Sequence, residues 1–149
     1  MRLVIQRVAR AEVRVGSEVV GRIERGLLVY LGVAADDERE DAERLAAKVA
    51  TLRVFEDDAG KMNCDLAAVG GAVLAVSNFT LCGDARKGRR PSFDHAAPPP
   101  KGREIYEHFC QALRGLGVPV ETGRFRERMA VCGENDGPIN ILLDSKGAF

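Results

Sequence analysis

The run Leu27-Leu28-Val29-Tyr30-Leu31-Gly32-Val33 constrains the fold more than any other stretch of the chain. It is continuously apolar, which predicts a strand covered on both faces. The segment before it alternates instead: Ala9, Ala11, Val13 and Val15 interleave with Arg10, Glu12 and Arg14, the period of a half-buried strand. Gly16-Ser17 supplies a two-residue turn, and Glu18 to Glu24 returns as a second strand. Over Asp36 to Leu52 the period becomes helical, with Ala42, Leu45, Ala46, Val49 and Leu52 on one face and Asp36 or Asp37 as N-cap. Arg53 to Glu56 and Ala72 to Val76 read as further strands, the latter running straight into Ser77-Asn78-Phe79-Thr80-Leu81. Cys82 to Pro100 is irregular and reads as a functional loop. A second helix is predicted from Pro99 or Pro100, striped by Ile105, Phe109, Ala112, Leu113 and Leu116 and ended by Gly115 or Gly117. Val118–Thr122, Met129–Val131 and Ile139–Leu143 read as three last strands, and Lys146–Phe149 as a tail. About seven or eight strands and two helices result. Early hairpins and two helical crossovers predict an α/β chain, a mixed sheet with both helices on one side.

At 149 residues the chain fits one domain, 1–149. A chain of this size buries roughly 68–70% of its unfolded surface, enough for a core without disulfides or a structural metal. Lys plus Arg and Asp plus Glu are both 22, so net charge is zero, which excludes a globally basic nucleic-acid binder and leaves room for a local patch. The chain has no Trp and 5% aromatics, which argues against a broad base-stacking platform. Cys64, Cys82, Cys110 and Cys132 form no C-x-x-C pair and have no His at ligand spacing, so no zinc site is predicted and the thiols fit a reducing compartment. Arg2, Arg7 and Arg10 interrupt any signal-peptide core, and the near-apolar run Leu27 to Ala35 is too short to cross a bilayer. A soluble cytoplasmic protein without a membrane partner is expected.

Nucleophile-elbow, Walker, dinucleotide-fingerprint and zincin motifs are all missing. His108 falls near the apolar stripe of the second helix and reads as structural, while His95, beside Asp94 in the loop, is a weak candidate for acid–base work. Three segments stand out. Ser77, Asn78 and Thr80 end an apolar strand with a polar cluster, where a turn-forming cap is the plain alternative. Asn135-Asp136-Gly137-Pro138 precedes an apolar strand, and Gly-Pro is also an ordinary turn pair. Arg86-Lys87-Gly88-Arg89-Arg90 places four cations in five residues, either a solvated loop or a phosphate-neutralising one.

The order of these pieces resembles the D-aminoacyl-tRNA deacylase family. The resemblance runs over Gln6-Arg7-Val8, Phe55 with Gly60-Lys61-Met62-Asn63, Ser77 to Leu81, Arg86 to Phe93, Val120 to Phe125, Asn135 to Pro138 and Leu142 to Ser145, essentially the whole chain. It implies hydrolysis of the ester joining a D-amino acid, or misplaced glycine, to the terminal ribose of tRNA. It implies a three-layer β/β/α fold and a homodimer with sites at the subunit interface; no cofactor and no metal are expected. Ser77, Phe79 and Thr80 become the catalytic segment. The backbone N–H groups near Phe79 and Thr80 serve as oxyanion donors, the RNA's own 2′-hydroxyl assists the water, and Thr80 as nucleophile is the competing idea. Gly137-Pro138, joined by a cis bond and reaching in from the other subunit, screens chirality, and Arg7 holds it. Arg86, Lys87, Arg89 and Arg90 would bind tRNA. The chain departs from the family pattern at Asn78, where Gln is usual, and Asn140, where Thr is usual; both positions face substrate in this reading. Competing readings are a deacylase specific for L-alanine, a non-catalytic nucleic-acid-binding module, and a hydrolase using Cys82.

Overall fold

The computed structural model describes residues 1–149. Strands β1 (Arg2–Val15), β2 (Glu18–Ile23) and β3 (Gly26–Gly32) lead into α1 (Arg39–Ala50). A short hairpin, β4 (Phe55–Glu56) and β5 (Met62–Cys64), and the single turn α2 (Leu66–Val69) precede β6 (Ala72–Ser77). A 3₁₀ turn (Phe79–Cys82), α3 (Pro99–Gly115), β7 (Val120–Thr122) and β8 (Ala130–Asp144) complete the chain. The main sheet has the order β2-β1-β3-β6-β7, with β8 on the other edge of β1. The β3–β6 and β6–β7 pairs are parallel, and α1 and α3 are their crossovers; every pairing of β1 is antiparallel.

A change of phase within β1 makes one strand serve two layers. Met1, Leu3 and Ile5 point into a core shared with the helices, whereas Val8, Ala11 and Val13 point into a second core. Between them the register against β8 shifts twice, at Gln6/Val8 and Val8/Arg10. Beyond that point β1 carries β2 across the other face of the sheet. The close approach depends on Gly21, where a Cβ would lie 2.4 Å from the Thr122 carbonyl oxygen of β7. Leu27, Val29 and Leu31 of β3 and Val73 and Ala75 of β6 pack against Leu45 and Val49 of α1 and Ile105, Phe109 and Leu113 of α3. Leu28, Leu74 and Val76 face the second core. Each such Leu, Val, Ile or Phe side chain contributes about 1.5–3 kcal/mol by leaving water. Tyr106 Oη, buried, donates to the Ala75 carbonyl over 2.9 Å and fixes α3 on β6. The result is the expected β/β/α layering, with β3 and β6 covered on both faces.

Several expectations are corrected. There are three helices rather than two, because the single turn α2 is too short to show a period; Asp65 caps it, accepting from Ala68 N over 3.0 Å, and Gly70 ends it at φ +62°. Neither Asp36 nor Asp37 caps α1. Glu38 is its N-cap, its N–H donating to Asp41 Oδ2 over 3.0 Å. Asp37 is instead buried, holding the Met1 ammonium and accepting from Ala34 N–H over 2.6 Å. The two strands expected at 129–131 and 139–143 are one, β8. No helix is long and apolar enough to cross a membrane.

Candidate active site

Strand β6 delivers Ser77 beside Leu31 of β3, and the chain then turns sharply. Asn78 donates its N–H to the Leu31 carbonyl over 2.8 Å, leaves the strand at φ −144° and ψ 87°, and caps the 3₁₀ turn. Its Oδ1 accepts the Thr80 hydroxyl and lies 3.3 Å from Thr80 N. The polar cluster ends the strand as a capped turn, the plain alternative its residues allow, because an Asn side chain competes with the β ladder for the next N–H groups. The turn fits over the end of β3 only at Gly32, where a Cβ would lie 2.9 Å from Leu81 Cβ and 3.0 Å from the Asn78 carbonyl oxygen.

The turn borders a cleft of about 770 Å³ lined by 17 residues, 11 of them hydrophobic. Ser77, Asn78 and Phe79 form one wall; Tyr30, Phe93, Phe125, Arg126, Glu127 and Met129 complete much of the rest. Phe79 is 56% exposed and meets Phe93 edge-on, with ring centroids 5.2 Å apart. Phe125 packs against Tyr106 at 6.1 Å, with the Arg103 guanidinium 4.9 Å over its ring. Thr80 stands outside the lining, exposed at the rim.

Phe93 closes a loop whose neck is a two-bond bridge, Asp84 N to Ser92 O at 2.8 Å and Ser92 N to Asp84 O at 2.9 Å. Arg86 bends back onto Asp84, Nη2 to Oδ2 at 2.6 Å, and this hydrogen-bonded guanidinium holds the Asp84 carboxyl far below the usual carboxylate range. Lys87, Arg89 and Arg90 make no ion pair, so three of the four expected cations are free. They sit at the loop tip and do not line the cleft.

Gly137 and Pro138 lie on a bulge of β8. Val8 pairs with Asn135 and Gln6 with Asn140, so the β8 residues between them loop out opposite a short step of β1. The Gly137–Pro138 peptide bond is cis. Arg7, only 6% exposed, donates Nε to the Asp136 carbonyl over 3.1 Å and Nη1 to the Val54 carbonyl over 2.8 Å. Asn140 Oδ1 accepts from Gln6 Nε2 over 3.0 Å and from Asn135 Nδ2 over 2.9 Å, while Asn135 Oδ1 takes the Ile139 N–H over 3.0 Å. Arg7, Gly137, Pro138 and Asn140 therefore form one cluster, and Ser77 to Thr80 another. Within a single chain the first cluster does not line the cleft.

A family model for D-Tyr-tRNA(Tyr) deacylase matches residues 4–144. The chain belongs to the D-Tyr-tRNA(Tyr) deacylase family. Proteins named D-aminoacyl-tRNA deacylase from Anaeromyxobacter dehalogenans and Thermotoga petrophila are 60% and 56% identical to it, over all of both chains. A solved structure titled c-Myc DNA Unwinding Element Binding Protein superposes with a TM-score of 0.91 at 37% identity, covering 97% of this chain and 98% of that one. A probable eukaryotic D-amino acid tRNA deacylase superposes at 0.84 with 20% identity, covering 95% and 97%, and shares the fold.

In this deacylase-family chain the Cys82 reading fails: the thiol is buried, and burial pushes its pKa up, away from the thiolate a nucleophile needs. His108 pairs with Glu43 of α1 at 2.8 Å, a structural tie between helices. His95 is exposed outside the cleft lining. No group of three or more His, Cys, Asp or Glu is placed to hold a metal. Sequence reasoning assigned no role to Phe93, Phe125, Arg126 or Glu127; the available signal was that Phe93 and Phe125 each close a segment that carries the family resemblance.

Proposed function

We propose that the protein hydrolyses the ester of D-aminoacyl-tRNA, and of glycyl-tRNA mischarged on another tRNA, as a proofreading step of translation in the cytoplasm. The observation that carries this reading is the capped turn Asn78–Thr80 opening onto an apolar cleft with aromatic edges. Such a site suits an ester already activated for hydrolysis. It needs donors for the developing oxyanion more than a strong base. The N–H groups of Phe79 and Thr80 open the 3₁₀ turn, where no intrahelical acceptor exists, and Thr80 N–H is held only by the long bond to Asn78. A water, assisted by the ribose 2′-hydroxyl, attacks the carbonyl carbon. The bond to the ribose 3′ oxygen breaks, and that oxygen takes the proton the water gives up. Ser77 and Asn78 border the amino acid, and the aromatic rim takes the terminal nucleoside.

Chirality is screened by Gly137-Pro138 of a second copy. Val4 of β1 pairs with Tyr30 on one side and Leu142 on the other. Leu142 is 54% exposed, and Tyr30 lines the cleft, so an uncovered apolar sheet face runs from the bulged strand to the site. A second copy on that face supports a homodimer. Lys87, Arg89 and Arg90 contact tRNA phosphates. Release of D- but not L-amino acid from charged tRNA by the purified protein tests the reading. Binding of tRNA or DNA without turnover would favour the binding-module alternative.

A further inference from the structure

We infer that Arg126 binds a phosphate on the 5′ side of the terminal, ester-bearing nucleoside; the inference rests on the deacylase reading above. Arg126 is the only cation among the residues lining the cleft. Its guanidinium makes no ion pair and no hydrogen bond within the protein, although Glu127 is its chain neighbour and lines the same wall. By contrast, Arg124 is taken by Glu18 at 2.6 Å.

The backbone adds a second, independent observation. Arg126 is the one non-glycine residue with positive φ, at +66°. It is the third residue of a turn closed by Glu127 N–H on the Arg124 carbonyl at 3.3 Å, a position that glycine or asparagine occupies with less strain. The turn is anchored by Phe125, which packs on Tyr106 and under Arg103. A conformation costly for an arginine thus places the cation at the wall of an apolar cleft with nothing in the protein to bind it, an arrangement that points to a ligand. The ligand is an anion that leaves an apolar pocket at its rim. For an aminoacyl nucleoside seated beside Ser77 to Phe79, that anion is the 5′-phosphate. Lys87, Arg89 and Arg90 lie outside the lining and reach phosphates farther along the strand.

The test compares a D-aminoacyl ester of adenosine, the same ester of adenosine 5′-monophosphate, and D-aminoacyl-tRNA, using wild type, Arg126→Gly and Arg126→Lys. Wild type should prefer the phosphorylated ester in kcat/KM. Arg126→Gly should cut that preference about tenfold, through KM, which is the scale of one lost charge-assisted hydrogen bond. It should also reduce the salt slope of tRNA binding by about 0.7. Its melting temperature should be equal or higher, since glycine adopts positive φ freely; this separates charge from backbone. Arg126→Lys should recover part of the preference. An unchanged preference and salt slope, or an equal loss on both esters, would overturn the inference. A wild type inert toward all three substrates would overturn the deacylase reading itself.

Discussion

Asn78 Oδ1 accepts the Thr80 hydroxyl, so that hydroxyl donates to an amide oxygen and faces no base. An amide oxygen cannot remove a proton from an alcohol, and Thr80 stands at the rim of the cleft. Thr80→Ala should therefore keep measurable deacylation, with kcat reduced less than about tenfold, whereas loss of one oxyanion donor typically costs about 10²–10³. Single-turnover rates on D-aminoacyl-tRNA check this. A well-folded but inactive Thr80→Ala, or a trapped aminoacyl-threonine, would restore the covalent route.

The Arg7 guanidinium spans two carbonyls, those of Asp136 and Val54, from a nearly sealed position. Lys cannot reproduce a fork that serves both. Arg7→Lys should lower stability by about 2 kcal/mol, a fall of about 5–8 °C in melting temperature. The bulge carrying Gly137-Pro138 then loses its tie, and the ratio of D- to L-ester turnover should drop about tenfold. Unchanged discrimination in a destabilised variant would make Arg7 purely structural.

Three cations, not four, are available at the loop tip, because Arg86 is occupied by Asp84. Reversing charge at Lys87, Arg89 and Arg90 together should weaken tRNA binding and flatten the salt slope by about two to three. Arg86→Glu alone should change the slope least. A slope that ignores the triple variant would make the loop a solvated surface.

The Asp41 carboxyl lies below its ordinary range: burial pushes it up, but hydrogen bonds at the α1 N-terminus and from Lys146 outweigh burial. A depressed native pKa stabilises the fold above the unfolded value, near pH 4, and that contribution is lost as pH falls further. Asp41→Asn should thus destabilise at pH 7, and the difference from wild type should narrow toward pH 2–3. Denaturant unfolding at both pH values checks the sign; a constant difference would mean the cap acts without charge.

What could be read from the sequence was whatever has a period or a hard stop. The β1–β2 turn at Gly16-Ser17 is bracketed by alternation, and α3 starts at Pro99, where proline's missing N–H does no harm. The phase change in β1 was invisible, because a register shift belongs to its pairing with β8. The turn at Phe79–Cys82 was legible only as one of two readings, because Ser77, Asn78 and Thr80 suit a cap while Phe79 and Leu81 between them could continue the strand. One cleft wall was legible as a motif. The other, Phe93, Phe125 and Arg126, comes from segments that only the tertiary fold brings beside Ser77.

Ile139, Ile141 and Leu143 of β8 pack toward the helical core, so Leu142 points the other way, onto the face it shares with Val4 and Tyr30. The second β layer does not cover Leu142, and Gly137-Pro138 lies on the same strand, outside its own chain's cleft. If a second copy covers this face, an arginine at position 142 places a charge in an apolar interface without a partner. Sedimentation should find wild type at twice the monomer mass and Leu142→Arg at the monomer mass, with an unchanged far-ultraviolet spectrum because the site is exposed in the monomer. The preference for D- over L-esters should be lost together with dimerisation, since each cleft then lacks the chirality screen its partner supplies. A dimeric Leu142→Arg, or a monomeric one with full activity and D-specificity, would place the screen within a single chain and remove the need for a partner.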